Sequence, residues 1–182
     1  VLPDPATVVP YDPEWLQLFA ALGGLLRDAL GPVAVRIDHI GSTAVPGLCA
    51  KPIIDVQVSV ASLEPVAPFR GPMERCGFVW RPDNPDLTKR YFRERPGNRR
   101  THIHVRRSGS FSEQVALLFR DFLRVDSQRA AAYADVKLGL AHLLRVERSA
   151  YVAAKGPFVW ETFRLADEWA QRTGWQPGPS DA

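Results

Sequence analysis

The sequence predicts an α+β domain in which a layer of helices packs on one side of a β-sheet. Three observations carry this: an amphipathic helix opens the chain, alternating β-branched runs fill its middle, and the apolar spacing turns helical from Ser110 onward. A chain of 182 residues fits one domain, expected over residues 1–174, with residues 175–182 as a frayed tail.

The elements follow in order. Asp12-Pro13-Glu14 combines a side-chain acceptor, a proline and an acid, which starts a helix. Leu16, Phe19, Leu22, Leu26 and Leu30 then recur at intervals of three and four and form one face, until Gly31-Pro32 stops it. "VAVRIDHI" alternates as a strand, and "PIIDVQVSV" is a second β-branched run that sets Asp55, Gln57 and Ser59 on a common face. Pro65, Pro68 and Pro72 keep any helix between them short, and "FVW" at 78–80 reads as a third strand. "KRYFRER" and "RRTHIHVRR" flank Pro-Gly-Asn as the arms of a hairpin, with Thr101, Ile103 and Val105 facing one way and His102, His104 and Arg106 the other. Val115, Leu118, Phe119, Phe122 and Leu123 make one helical stripe, and Tyr133, Val136, Leu140, Leu143 and Leu144 the next. Phe163, Ala166 and Trp169 belong to a last helix ending near Gly174, in a region that Gly156-Pro157 is expected to interrupt.

Composition narrows the function classes. Hydrophobic residues are 46% and charged residues 24%, no apolar run approaches the ~18–20 residues of a bilayer span, and the N-terminal stretch lacks a signal-peptide pattern. No membrane partner is expected, and the cytoplasm is the expected location. Cys49 and Cys76 have no metal-ligand spacing and read as reduced small hydrophobes. The net charge is only +3, and the arginines at 93, 95, 99, 100, 106 and 107 read as a solvated hairpin, so nucleic acid is not an expected partner.

The chemistry centres on "HIGSTAVPGL" and the aspartate that follows it. Gly41 lets backbone approach a ligand, and the amides and hydroxyls of Ser42 and Thr43 can donate to phosphate oxygens. Asp55, on a strand 13 residues after Ser42, can hold a cation beside such a phosphate. His102 and His104, at i and i+2 on one strand face, can chelate an ion or bracket a substrate, with His39 as a further imidazole. Lys51 and Arg93 are candidate phosphate contacts. Arg90, Tyr91, Gln57, Tyr151 and Lys155 are candidate substrate contacts, and strand alternation allows only one of Arg90 and Arg93 to point inward.

"VVPYDPEW", "HIGSTAVPGL-x-AKPIIDV", "RYFR", "THIHV", "LLFRDFLR" and "AYVAAKGPF", in this order over residues 7–170, resemble the GrpB family. That family is similar in fold to the nucleotidyltransferases, whose motif is a strand-end Gly-Ser followed by Asp-x-Asp and a further acid on a later strand. The resemblance implies a minimal nucleotidyltransferase core: a mixed sheet with flanking helices and a C-terminal helical layer. It implies a nucleoside triphosphate as ligand, and transfer of a nucleotidyl or related group to a small-molecule acceptor. Here Gln57 stands where the second acid belongs, and His102 and His104 stand where the third would be. Glutamine binds Mg²⁺ poorly and imidazole prefers zinc or another transition metal. The sequence therefore leaves open Mg²⁺ at Asp55, a transition metal at Asp55, His102 and His104, or no metal. It also leaves open a nucleotide-binding module without catalysis, or a repurposed transferase or ligase-like enzyme.

Overall fold

The computed structural model describes residues 3–182. Its mixed sheet is built from β1 (Arg36–Ile40), β2 (Ile54–Val60), β3 (Phe78–Trp80), β4 (Lys89–Glu94) and β5 (Thr101–Arg107), in the order β1-β2-β5-β4-β3. β2 and β5 run parallel, whereas β1–β2, β4–β5 and β3–β4 are antiparallel pairs. The helices are α1 (Glu14–Leu30), α2 (Ala67–Arg75), α3 (Phe111–Val125), α4 (Ser127–Gly139), α5 (Leu143–Val146) and α6 (Arg148–Thr173). The α+β class expected from the sequence is the observed one, and no described helix is long and apolar enough to cross a membrane.

Strand alternation divides the sheet into two unlike faces. Ile37, Val56, Val58, Phe92, Ile103 and Val105 are buried against α1 and α2, in one apolar core. The opposite face carries Asp55, Gln57, His102, His104 and Arg106, and α3 covers part of it through polar contacts. Arg106 Nη1 donates to the Ser112 carbonyl at 2.7 Å, and Gln57 Nε2 donates to the Glu113 carbonyl at 3.3 Å. α3 starts there because the Ser110 hydroxyl accepts from the Glu113 amide, while Glu113 Oε2 accepts from the Gly109 amide at 2.6 Å. A second core of Val45, Leu48, Leu123 and Tyr133 ties the helical layer to the loop after β1.

Four expectations are corrected. Helices cover both faces of the sheet, α1 and α2 on one and α3 on part of the other, rather than one side alone. Leu16 is 41% exposed, because Trp15 takes the buried place at the start of α1, edge-on to Tyr11. α6 runs unbroken through Pro157. A proline inside a helix costs roughly 3 kcal/mol, and burial of Tyr151 before it and of Thr162 and Ala166 after it offsets that cost. The tail is not frayed: the Ser180 hydroxyl accepts from the Ile37 amide at 2.8 Å, Asp181 Oδ2 accepts from the His39 amide at 2.9 Å, and the Ala182 amide donates to the Ile37 carbonyl at 3.1 Å. β1 is the sheet's edge, and these bonds satisfy backbone groups that an edge leaves open.

Candidate functional site

The chain leaves β1 through Gly41, whose φ of +72° belongs to glycine, and makes a tight 3-10 turn over Ser42–Ala44. Two arginines of α3 fix its flanks: Arg120 Nη1 donates to the His39 carbonyl at 3.0 Å and Arg124 Nε to the Ala44 carbonyl at 2.9 Å. Thr43 Oγ1 donates to the Ile53 carbonyl at 3.1 Å and lies 3.0 Å from His39 Nε2, so its hydroxyl holds the turn rather than facing outward. The turn is thus rigid before any ligand arrives.

Against it stands the carboxylate of Asp55. Its Oδ1 accepts from His102 Nδ1 at 3.0 Å and lies 3.4 Å from His104 Nε2. β2–β5 pairing puts Asp55 directly opposite His102, and alternation returns His104 to the same face. Tyr91, from the neighbouring β4, packs against both imidazoles with ring centroids 5.6 and 5.4 Å away. Burial works against ionisation of Asp55, but the bonds from His102 and His104 outweigh it and hold the carboxyl well below its usual range. Burial pushes His104 down to about 4. One ligand atom from each of Asp55, His102 and His104 lies within 4.8 Å of the others, a donor set of one carboxylate and two imidazoles. Such a set suits zinc, manganese or iron. His102 Nε2 and His104 Nδ1 are buried and have no hydrogen-bond partner, so the bonds to Asp55 and ring packing orient these imidazoles.

The other wall is cationic. A cavity of about 250 Å³ opens between the turn and the helical layer, bounded on one side by Gly41, Ser42, Asp55 and His102 and on the other by Lys51, Lys137 and Lys155 with Tyr133 and Tyr151. Ammonium groups and rings alternate along that wall: Lys51 lies 5.9 Å and Lys155 5.1 Å from the Tyr151 ring, while Lys155 lies 6.0 Å and Lys137 4.6 Å from the Tyr133 ring. The Lys137 ammonium also donates to the Cys49 carbonyl. Burial lowers Lys137 to about 8, raises Tyr151 to about 12 and pushes Tyr133 up further, while Tyr133 shares a hydrogen bond with Ser42. The chain has 19 arginines and only 4 lysines, yet three of those lysines meet here.

Most of the residues singled out in the sequence converge. Gly41, Ser42, Thr43 and Lys51 line the cavity, as do Asp55 and His102, and Tyr151 and Lys155 face them from α6. His104 and Tyr91 stand behind the carboxylate. Four residues lie away from this cluster. His39 pairs in register with Val56 and so projects to the opposite face of the sheet from Asp55, where it stacks on Phe19 at 4.7 Å and is 1% exposed. Gln57 is fully buried under α3, where its Oε1 accepts from Arg106 Nη1 at 2.7 Å. Arg90 turns to Glu64 at 2.8 Å on the far face, and Arg93 is held by Glu94 at 2.9 Å. Lys137 was not singled out. Its signal was a spacing: Tyr133-x3-Lys137 on α4 repeats Tyr151-x3-Lys155 on α6, and each pair shares one helix face.

Comparison with known proteins gives concordant results. The model of the family described as GrpB protein matches residues 5–164. A relative from Mycolicibacterium paratuberculosis, named dephospho-CoA kinase, is 35% identical over 95% of this chain, and the match covers 49% of that protein. The chain therefore spans about half the length of that relative. A crystal structure of the conserved protein GrpB from Enterococcus faecalis superposes with a TM-score of 0.80 at 31% identity, covering 89% of this chain and 99% of that one. The Cid1 poly(U) polymerase superposes with a TM-score of 0.52 at 14% identity over 71% of this chain and 42% of its own, a likeness of fold alone.

Proposed function

This chain belongs to the GrpB family, and on that premise we propose that its cleft binds a nucleoside triphosphate through the phosphates and transfers a nucleotidyl or related group to a small-molecule acceptor. The observation that carries the reading is one carboxylate, bonded to two imidazoles, beside a backbone turn and opposite a wall of three ammonium groups. Three lysines against Asp55 leave the cleft positive, which suits a chain of phosphates. The Gly41 and Ser42 backbone permits close approach of phosphate oxygens, and Lys51, Lys137 and Lys155 neutralise the charge that gathers on a departing pyrophosphate.

Asp55, His102 and His104 are the residues that would hold a divalent cation, and the two imidazoles favour Zn²⁺ or Mn²⁺ over Mg²⁺. A cation bound there would supply Lewis-acid polarisation of a phosphoryl oxygen. The two-magnesium arrangement of a carboxylate pair does not fit, because Gln57 is neutral and tied to Arg106 outside the cavity. A second, metal-free reading is favoured by the bond between His102 and Asp55. His102 and Asp55 satisfy each other there, and the ammonium groups of Lys51, Lys137 and Lys155 then hold the phosphates without a cation.

Thermal-shift titration with ATP, GTP, CTP and UTP, each with Mg²⁺, Mn²⁺, Zn²⁺ or chelator, tests the proposal. Stabilisation by triphosphates that Asp55→Asn diminishes supports it. Stabilisation that chelator leaves unchanged selects the metal-free reading. Binding without turnover of any triphosphate identifies a nucleotide-binding module, and no response to any triphosphate contradicts the proposal.

A further inference from the structure

Parallel pairing of β2 with β5 brings the residues that precede both strands to one end of the sheet. Asp55 and His102 are register partners there, and Arg100 lies two residues before His102. The Ile54 amide donates to the Arg100 carbonyl at 3.4 Å, so Arg100 still follows the ladder and stands beside the cleft. Together with Lys51, Arg100 borders a second, smaller cavity of about 120 Å³, whose remaining walls are Pro5, Ala6, Ile53 and Leu144. Lys51 and Ile53 also line the larger cavity, so the two spaces share a wall.

The chemistry of the smaller space is specific. Arg100 Nη1 is 3.3 Å from Glu94 Oε1, but Arg93 claims the same carboxylate at 2.9 Å. Two guanidinium groups thus divide one negative charge, and with Lys51 the surroundings stay positive. Arg100 Nε is buried and has no hydrogen-bond partner, which leaves a donor whose desolvation nothing in the protein offsets. The other walls are aliphatic. Such a space admits a phosphate or carboxylate with a few carbons and is too small for a nucleoside.

We propose that the Lys51–Arg100 cavity is the acceptor subsite of the cleft and takes a small alcohol bearing a terminal oxyanion. This rests on the nucleotide reading of the larger cavity. In the step itself the acceptor's hydroxyl oxygen bonds to the α-phosphorus of the triphosphate and the bond from that phosphorus to the bridging oxygen breaks. Pyrophosphate leaves with the electron pair, and the hydroxyl proton passes to water. Lys51, on the shared wall, touches both partners, while Arg100 reads the acceptor alone.

Calorimetric titration of glycerol 3-phosphate, and separately of glycerate, into protein saturated with inorganic tripolyphosphate tests this and separates phosphate from carboxylate. One of the two binds wild type, Arg100→Met weakens that binding at least tenfold, Arg100→Lys restores part of it, and tripolyphosphate affinity stays within twofold throughout. Circular dichroism identifies a variant that has not folded, in which case Arg100→Lys alone decides. Failure of both probes to bind the loaded protein, or binding indifferent to Arg100, overturns the proposal. If tripolyphosphate does not bind but a probe binds in an Arg100-dependent manner, the nucleotide reading falls and the oxyanion pocket stands.

Discussion

Gly41 and Asp55 pack against each other on one wall of the cleft: a methyl group on the Gly41 α-carbon would lie 2.8 Å from Asp55 Oδ2. The turn and the carboxylate therefore form one unit, closed at a distance that only a residue without a side chain permits. Gly41→Ala combines that clash with a left-handed φ, a cost of roughly 1–3 kcal/mol. It also pushes the carboxylate away from His102 and His104. Urea denaturation and a zinc titration of the variant are expected to show lower stability and weaker binding together. Unchanged values for both would mean that Asp55 moves aside without consequence.

Lys137 gives the cleft a pH dependence. Burial holds its amine at about 8, with the Cys49 carbonyl, Tyr133 and Lys155 around it. An anion binds the charged form better, so polyphosphate affinity falls as pH rises through about 8. The unliganded protein behaves oppositely. The unfolded chain keeps its proton up to about 10.4, so the burial penalty is complete below pH 8 and fades as pH rises between the two values. Tripolyphosphate titrations at pH 7 and 9 should differ for wild type and converge for Lys137→Met.

His39 gives the fold an acid limit. Burial pushes its imidazole down to about 4, whereas the unfolded chain takes up the proton near 6.5. The folded state keeps its full advantage above 6.5, loses it progressively as pH falls, and has lost it below 4. The loss amounts to at most about 3 kcal/mol, at 1.36 kcal/mol per pH unit. Denaturation midpoints at pH 7 and pH 4.5 should fall less in His39→Gln than in wild type. An equal drop in both would assign the acid sensitivity to other groups.

Gln57→Glu places an acid two residues after Asp55, giving the Asp-x-acid spacing that the sequence comparison with the nucleotidyltransferase motif implies. Arg106 already holds that side chain and the Glu113 carbonyl covers it, so the new carboxylate pairs with Arg106 and stays outside the cavity. Magnesium affinity is expected to remain unchanged, as read by titration calorimetry. A clear gain would show that α3 can lift away from the sheet.

Much of this was legible in the sequence because strands have a period of two. The alternation in "PIIDVQVSV" and "THIHV" puts Asp55, His102 and His104 on one face, and the structure brings them together. The same rule sends His39 to the other face, but this needed the register of β1 on β2, which no local pattern supplies. Pro157 is tolerated because of packing from other elements, and the tail is ordered by the open edge of β1, so both depended on tertiary context. The lysine wall joins three segments far apart in the chain, of which only Lys51 and Lys155 lay inside recognisable motifs.

The central proposal is that Asp55, His102 and His104 hold one cation beside a polyphosphate. Electron paramagnetic resonance of Mn²⁺ titrated into the protein with inorganic tripolyphosphate tests it most directly, in wild type and in His102→Ala and Asp55→Asn. One bound ion per chain, lost in both variants, is the predicted result. No bound ion in wild type, or an ion that survives both substitutions, would contradict the account.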